Sequence, residues 1–183
     1  MKIGVYFEGN PKMGGGFFQS LQSCLILADI QEYQKYLDFI ITNEETKKYL
    51  NTKFLQVSKY KQNKILNYYS KLFEINIFKE IFNKLGLNHP FTNFIKRQKY
   101  DLIIFLGPSM LSRFCDNTAF VSNIWDLDHK KNSQFPEHNL NYKYEDKEKL
   151  INDIVFRAFR IIVPHKSNKN DLINIYKAEE NKI

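Results

Sequence analysis

The chain has 183 residues, 27 Lys and Arg against 20 Asp and Glu (formal net charge +7), 43% hydrophobic and 26% charged residues. That length and apolar share suit one well-buried domain, and the lack of long acidic, Ser-rich or Pro-rich tracts excludes a chiefly disordered chain. The positive excess would attract anionic partners, but it is dispersed, mostly as lysine, through a sequence rich in Asn, Ile, Phe and Tyr, a mixture that AT-rich coding produces without selection for binding.

Lys2 to Phe7 reads as a first strand. This apolar run is too short for a signal peptide's core or a membrane span, so a cytoplasmic location is expected, with any membrane contact peripheral on its inner face. The stretch "FEGNPKMGGGFFQ" then leads into a helix from Phe17 to about Gln34, with Leu21, Leu25 and Ala28 at helical spacing. Leu37 to Thr42 and Phe54 to Val57 read as strands, Lys61 to Leu85 as a helix stopped by "GLNHP", and Asp101 to Leu106 and Ala119 to Trp125 as strands. A helix over Glu145 to Phe159, a strand over Arg160 to Val163 and a helix from about Asn168 to Lys177 close the chain. Cys24 and Cys115 sit in apolar contexts without CxxC spacing, which fits buried reduced thiols rather than a disulfide framework or zinc site.

Several strands are continuous Ile, Val, Leu and Phe rather than alternating, as in parallel strands covered on both faces. The expected fold is therefore α/β: a single Rossmann-like, doubly wound, mostly parallel sheet with helices on both faces over residues 1–183. Ligands in such folds bind beyond the carboxyl ends of the strands, which points to Glu8–Gly16, Gly107–Met110 and Asp126–Glu137.

Two of these loops carry chemistry-bearing patterns. Gly14, Gly15 and Gly16 open a helix, where unpaired backbone N–H groups can face a phosphate; a plain strand-to-helix turn is the alternative. They do not complete a dinucleotide fingerprint, because Gln19 stands where its third glycine belongs, and G-x-x-x-x-G-K-[ST] is absent. The second pattern, "FVSNIWDLDHKKNSQFPEH", places Trp125, Asp126, Asp128, His129 and Glu137 after a strand. These residue types can hydrogen-bond a sugar or titrate near neutral pH, or they can serve local loop geometry alone.

The glycine-rich loop, "YDLIIFLGPSM", "WDLDH" followed by "FPE", and the ending "AFRIIV" with "DLINIY" occur in an order that resembles the N-terminal, acceptor-side domain of a family 4 glycosyltransferase of GT-B architecture. The resemblance implies two Rossmann-like domains facing a cleft and a role in polysaccharide biosynthesis. A glycan or lipid-linked acceptor would lie mostly on this domain and a nucleotide-sugar donor mostly on the other. The donor is a substrate; no resident cofactor and no metal are implied. Gly14, Gly15 and Gly16 would border the donor diphosphate. His129 would be the catalytic residue beside the transferred sugar, and Trp125, Asp126, Asp128 and Glu137 would bind substrate. Two departures stand out. "VPHKSN" has Pro164 and His165 where many relatives place Ser, and the chain ends at Ile183, where relatives enter a linker to the donor domain. The expectation is a half that is inactive alone, either a fragment of a longer chain or one completed by a separate donor-domain polypeptide.

Two other readings remain. Asp126 and Asp128 could form the D-x-D of a metal-dependent GT-A transferase. Tyr60, Tyr68 and Tyr69 beside Lys59, Lys61 and Lys64 could belong to a non-catalytic basic binding module, although a solvated amphipathic helix explains them more simply and disfavours nucleic acid as partner.

Overall fold

Six strands form one sheet: β1 (Ile3–Phe7), β2 (Leu37–Ile41), β3 (Val57–Lys59), β4 (Leu102–Phe105), β5 (Ala119–Asn123) and β6 (Arg160–Ile162). The computed structural model describes residues 1–9, 14–50, 56–60, 72–73, 78, 81–82, 84–135 and 143–183. Every neighbouring pair is parallel, in the order β3-β2-β1-β4-β5-β6. The chain winds outward in one direction from β1 and in the other from β4, so the doubly wound, Rossmann-like α/β fold expected from the sequence is present.

The two-residue side-chain period of a strand explains why β1 and β2 are apolar throughout. Ile3, Val5 and Phe7 with Leu37, Phe39 and Ile41 enter one core, which Phe17, Leu21, Cys24 and Ala28 cover from α1 (Gly15–Asp29). Tyr6 and Ile40 point to the other side. There they join Ile103 and Phe105 of β4, Phe91, Phe94 and Ile95 of α4 (Pro90–Gln98), Ile151, Ile154 and Val155 of α6 (Lys143–Arg157), and Leu172 of α7 (Lys166–Tyr176). Each fully buried large side chain contributes about 1.5–3 kcal/mol of transfer free energy. Cys24 and Cys115 are buried free thiols, and burial pushes both pKa values up. Among the described residues no helix is long and apolar enough to cross a membrane.

Several boundaries differ from the sequence reading for local reasons. α1 starts at Gly15 and ends at Asp29; Ile30 then takes an extended conformation before the short α2 (Gln31–Gln34), whose Gln34 Nε2 donates to the carbonyl of Ala28 at 2.6 Å. The chain must turn there to bring Leu37 beside Ile3. β3 covers Val57–Lys59; of the strand read over Phe54 to Val57, residues 54 and 55 lie outside the described set and Gln56 precedes β3. The helix read over Lys61–Leu85 falls mostly outside that set, and its described residues 72, 73, 78, 81, 82 and 84 are helical. Its stop is at the expected place: Gly86 has φ 66°, and Leu87 N–H donates to the carbonyl of Phe82 at 2.8 Å.

Three helices are not expected from the sequence: α3 (Glu44–Leu50), α4 and a four-residue helix over Asp128–Lys131. α3 is only seven residues long; Asn43 Oδ1 accepts from Glu45 N–H at 3.0 Å at its start. α4 follows directly on "GLNHP", where Pro90 is pre-set for the first helical position and His89 Nδ1 accepts from Phe91 N–H at 3.1 Å. His89 is 2% exposed and stacks on Phe114 with ring centroids 3.6 Å apart.

One buried polar cluster lies within the sheet. Asp38, fully buried, accepts from Tyr100 OH at 2.7 Å and Ser58 Oγ at 2.8 Å, and pairs with Lys2 Nζ at 3.2 Å. A buried carboxylate requires such donors, and β1, β2 and β3 all meet at this point.

Candidate functional site

The strand order reverses between β1 and β4, and in folds of this kind the crevice beyond their carboxyl ends is the usual ligand site. The residue that occupies it here is Trp125, which leaves β5 two positions beyond the last strand residue, Asn123. Its indole lies between Gly16 at the start of α1 and Gly107 just after β4. A Cβ at Gly16 would fall 2.9 Å from Trp125 Cζ3, and one at Gly107 2.6 Å from Cζ2, both closer than side chains tolerate. The half-buried ring thus joins the loops after β1, β4 and β5 into one surface. Its backbone carbonyl accepts from Asn168 Nδ2 of α7 at 3.0 Å, and its Nε1 is buried without a partner among the described residues.

The three consecutive glycines divide into two kinds. Gly14, the N-cap, has φ 75°, a backbone conformation that side chains rarely adopt, and no side chain caps the helix. Among the described residues a Cβ at Gly14 or Gly15 would meet nothing within 4 Å at this end of the 15-residue helix. Gly16 instead makes room for the tryptophan. A phosphate approaching this helix would therefore meet Gly14 and Gly15, with Trp125 as a wall beside them.

Neighbouring groups stiffen the edge. Ser20 Oγ and Asn123 Nδ2 both donate to the carbonyl of Leu106, at 3.4 and 3.3 Å, and Thr46 Oγ1 donates to that of Gly9 at 3.1 Å. Ser109, 3% exposed, donates its hydroxyl to Glu8 Oε2 at 2.6 Å and accepts from Leu111 N–H at 3.3 Å. Glu8 is exposed immediately after β1, at the start of the loop expected over Glu8–Gly16.

His129 belongs to the short α5 (Asp128–Lys131) and is 2% exposed. Its Nε2 lies 2.9 Å from Glu148 Oε1 of α6 and 3.3 Å from the hydroxyl of Tyr176 of α7. Tyr176 donates a short hydrogen bond to the same Glu148 oxygen, while Lys130 Nζ donates to Glu148 Oε2 at 2.9 Å and to Tyr144 OH at 3.2 Å. Burial lowers the His129 pKa, and this outweighs the opposing pull of Glu148. Burial pushes the Glu148 carboxyl up, but hydrogen bonds from Tyr176, Lys130 and His129 more than reverse that, leaving it below its usual value. The resting state is a neutral imidazole against an ionised carboxylate. Of this cluster only His129 has a site role in the sequence reading, and Tyr176 appears there with Leu172 and Ile173 on one face of the last helix; Tyr144 and Glu148, four apart on one helix face, are the available signal.

Asp126 and Asp128 are exposed, and Asp126 Oδ1 accepts from the Asp128 backbone N–H at 3.2 Å, an aspartate turn that starts α5. Among the described residues no group of three or more His, Cys, Asp or Glu is placed to hold a metal ion. Glu137 lies outside the described residues, as do Tyr68, Tyr69, Lys61 and Lys64. Tyr60 is 6% exposed and packed against Phe91 and Phe94, so it lacks the open ring face that base stacking needs, whereas Lys59 is exposed and paired with Glu44. No known protein-family model matches the chain, and no curated protein matches it.

Proposed function

We propose that this domain is the acceptor-binding half of a GT-B-type glycosyltransferase, which moves a sugar from a nucleotide-sugar to a glycan or lipid-linked acceptor. The observation that carries the reading is the Trp125 packing. One aromatic side chain fills the space between Gly16 and Gly107 at the usual dinucleotide crevice, and no described residue crowds Gly14 and Gly15 at its rim. Such a surface suits one wall of a shared cleft better than a complete nucleotide pocket, and it presents a tryptophan and carboxylates of the kind that bind sugars. On this reading the donor diphosphate meets Gly14 and Gly15, His129 borders the transferred sugar, and a second Rossmann-like domain holds the nucleotide. Both reactants must be oriented together for transfer, so this half alone does not turn over.

The test is a binding and turnover comparison using the chain itself. An oligosaccharide acceptor series should bind and change the emission of Trp125, the single tryptophan of the sequence. A nucleotide-hexose should bind weakly and remain intact until a donor-binding domain is supplied. Robust sugar transfer by the isolated chain would sink the two-half account. Oligonucleotide binding with a steep salt dependence, and no saccharide binding, would replace it with a nucleic-acid module.

A further inference from the structure

We propose that two copies of this chain associate through the α1 side of the sheet, each seating its α1 helix on an open half-face of the other. The inference is independent of the proposed function, since neither sugar nor nucleotide enters it.

A parallel sheet is ordinarily covered on both faces because its strands are apolar on both. Here the cover is lopsided. Beyond the centre of the sheet, α4, α6 and α7 all pack on the Tyr6 side, whereas α1 lies on the other side against β1 and β2. The register carries this second face across the sheet: Ile3 and Val5 pair with Leu102 and Ile104, these with Ala119 and Val121, and Val121 and Asn123 with Arg160 and Ile162. Burial falls away along that row. Leu102, Ile104 and Val121 are half-buried, Ala119 and Arg160 are exposed, and Ile162 is 50% exposed. Among the described residues no helix lies over β5 and β6 on this side. A trough therefore runs between α1 and β6, the edge strand, and two strand spacings make it roughly 10 Å wide, the distance at which one helix packs beside another.

The ridge that fits the trough stands next to it. Ile26 is on the side of α1 opposite its buried residues and is 63% exposed, and Ile30 just past the helix is 39% exposed. From Gly14 to Ala28 there is no charged residue, although 26% of the chain is charged. A solvated helix face carries charge, and the core of a protein contact is depleted of it. The same depletion argues against nucleic acid or an anionic membrane as the occupant, because either would be met by basic residues. Two copies that each carry a net charge of +7 repel least where they meet through an uncharged face.

Because ridge and trough lie side by side on one chain, a two-fold axis along the strands seats each ridge in the other copy's trough. Ile26 is ten residues past Gly16, about 15 Å toward the amino ends of the strands, which are themselves about that long. The axis thus carries Ile26 over Ala119 at the start of β5, and it carries Asp29 and Glu32 toward Arg160 at the start of β6. Arg160 lies over the ring of Phe159, which is 56% exposed. Ile26, Ile30, Ala119, Phe159 and Ile162 together offer about 400 Å² of apolar surface per copy, the size of a functional patch. At the usual apolar share, two such patches correspond to an interface of roughly 1,200–1,400 Å², the lower end of the stable range.

Sedimentation equilibrium on the full chain from about 1 to 300 μM tests this, and a monomer–dimer equilibrium within that range is expected. Ile26→Lys and Ala119→Glu, both at exposed positions, should each weaken association at least about a hundredfold while circular dichroism stays native. Leu87→Lys, at an exposed apolar residue outside this face, should leave it unchanged. An equimolar mixture of the Ile26→Lys and Ala119→Glu chains should regain a dimer, because one contact then pairs opposite charges and the other is wild type. A monomer at every concentration overturns the proposal and leaves the trough to a different chain. A dimer that survives Ile26→Lys, or one lost equally in Leu87→Lys, overturns it as well. A mixture that stays monomeric overturns the reciprocal seating. Saccharide binding is read by none of these measurements, so the proposed function stands or falls separately.

Discussion

Gly15 and Gly16 are adjacent in the first turn of one helix, yet the same substitution should change stability in opposite directions. Replacing glycine by alanine in a compatible helical position gains about 0.4–1 kcal/mol, chiefly by restricting the unfolded chain. At Gly15 no described residue within 4 Å opposes the added methyl, so Gly15→Ala should realise that gain. At Gly16 the same methyl would sit 2.9 Å from Trp125 Cζ3, and the ring cannot retreat freely because Gly107 bounds its opposite side. Overpacking of this sort costs about 1–3 kcal/mol, which outweighs the helical gain. The helical gain is common to both variants, so they should differ by the overpacking cost of roughly 1–3 kcal/mol, or about 2–12 °C in Tm for a domain of this size. Urea unfolding followed in parallel by circular dichroism and Trp125 emission measures the difference. Gly16→Ala should also redden the native emission as the indole is displaced, and Gly15→Ala should leave it unchanged. Equal stabilities with identical emission would refute the sandwich and the functional argument built on it.

Acid should destabilise the fold well above the carboxylate range. Burial lowers the His89 pKa from 6.5 to about 4, so in that window the unfolded chain binds a proton that the folded chain does not. Stability is then complete above pH 6.5 and falls by about 1.4 kcal/mol per pH unit, roughly 3 kcal/mol by pH 4, with His129 acting in the same direction. His89→Asn, which keeps a helix-capping acceptor, should flatten urea-derived stability against pH over that range; an unchanged slope rules His89 out as its source. Tyr100→Phe removes one donor from buried Asp38 and should cost about 1.5–3 kcal/mol in urea unfolding, whereas a loss under about 0.5 kcal/mol would mean that Ser58 and Lys2 suffice. Lys99 and Lys177 end α4 and α7 in left-handed conformations at φ 58° and 56°, so glycine at either should gain a few tenths to about 1 kcal/mol. Lower denaturant midpoints in both variants would contradict that.

The parts of the fold that could be read in the sequence were those whose side chains face the same environment along their whole length. "IGVYF" and "LDFII" are buried on both sides, and their continuous apolar character marks them as interior parallel strands. Short elements gave little periodicity: α3 spans two turns, and α4 was hidden because Gly86 to Pro90 both ends one helix and begins the next. β5 was read too long because Ile124 and Trp125 are as apolar as a strand, although Trp125 packs across the sheet's edge. The site was harder to read because its partners are remote. Glu148 and Tyr176 reach His129 from 19 and 47 residues away, and the space needed by one indole looked, locally, like three flexible glycines.

The β1–β4 pairing at the centre of the sheet also constrains synthesis. Ile3 is paired with Leu37 on one side and Leu102 on the other, so one flank of the earliest strand waits for residues made about a hundred positions later. At typical elongation rates of about 5–20 residues per second, that flank is an open hydrogen-bonding edge on the ribosome for roughly 5–20 s. During that interval β1 and β2 can pair with each other and collect α1 on one face, while the opposite face, with Tyr6 and Ile40, lacks Phe91, Phe94 and Ile95 until α4 emerges. The nascent chain is therefore most vulnerable to misassociation before about residue 105. Ribosome-bound chains stalled before and after β4 should differ sharply in chaperone capture.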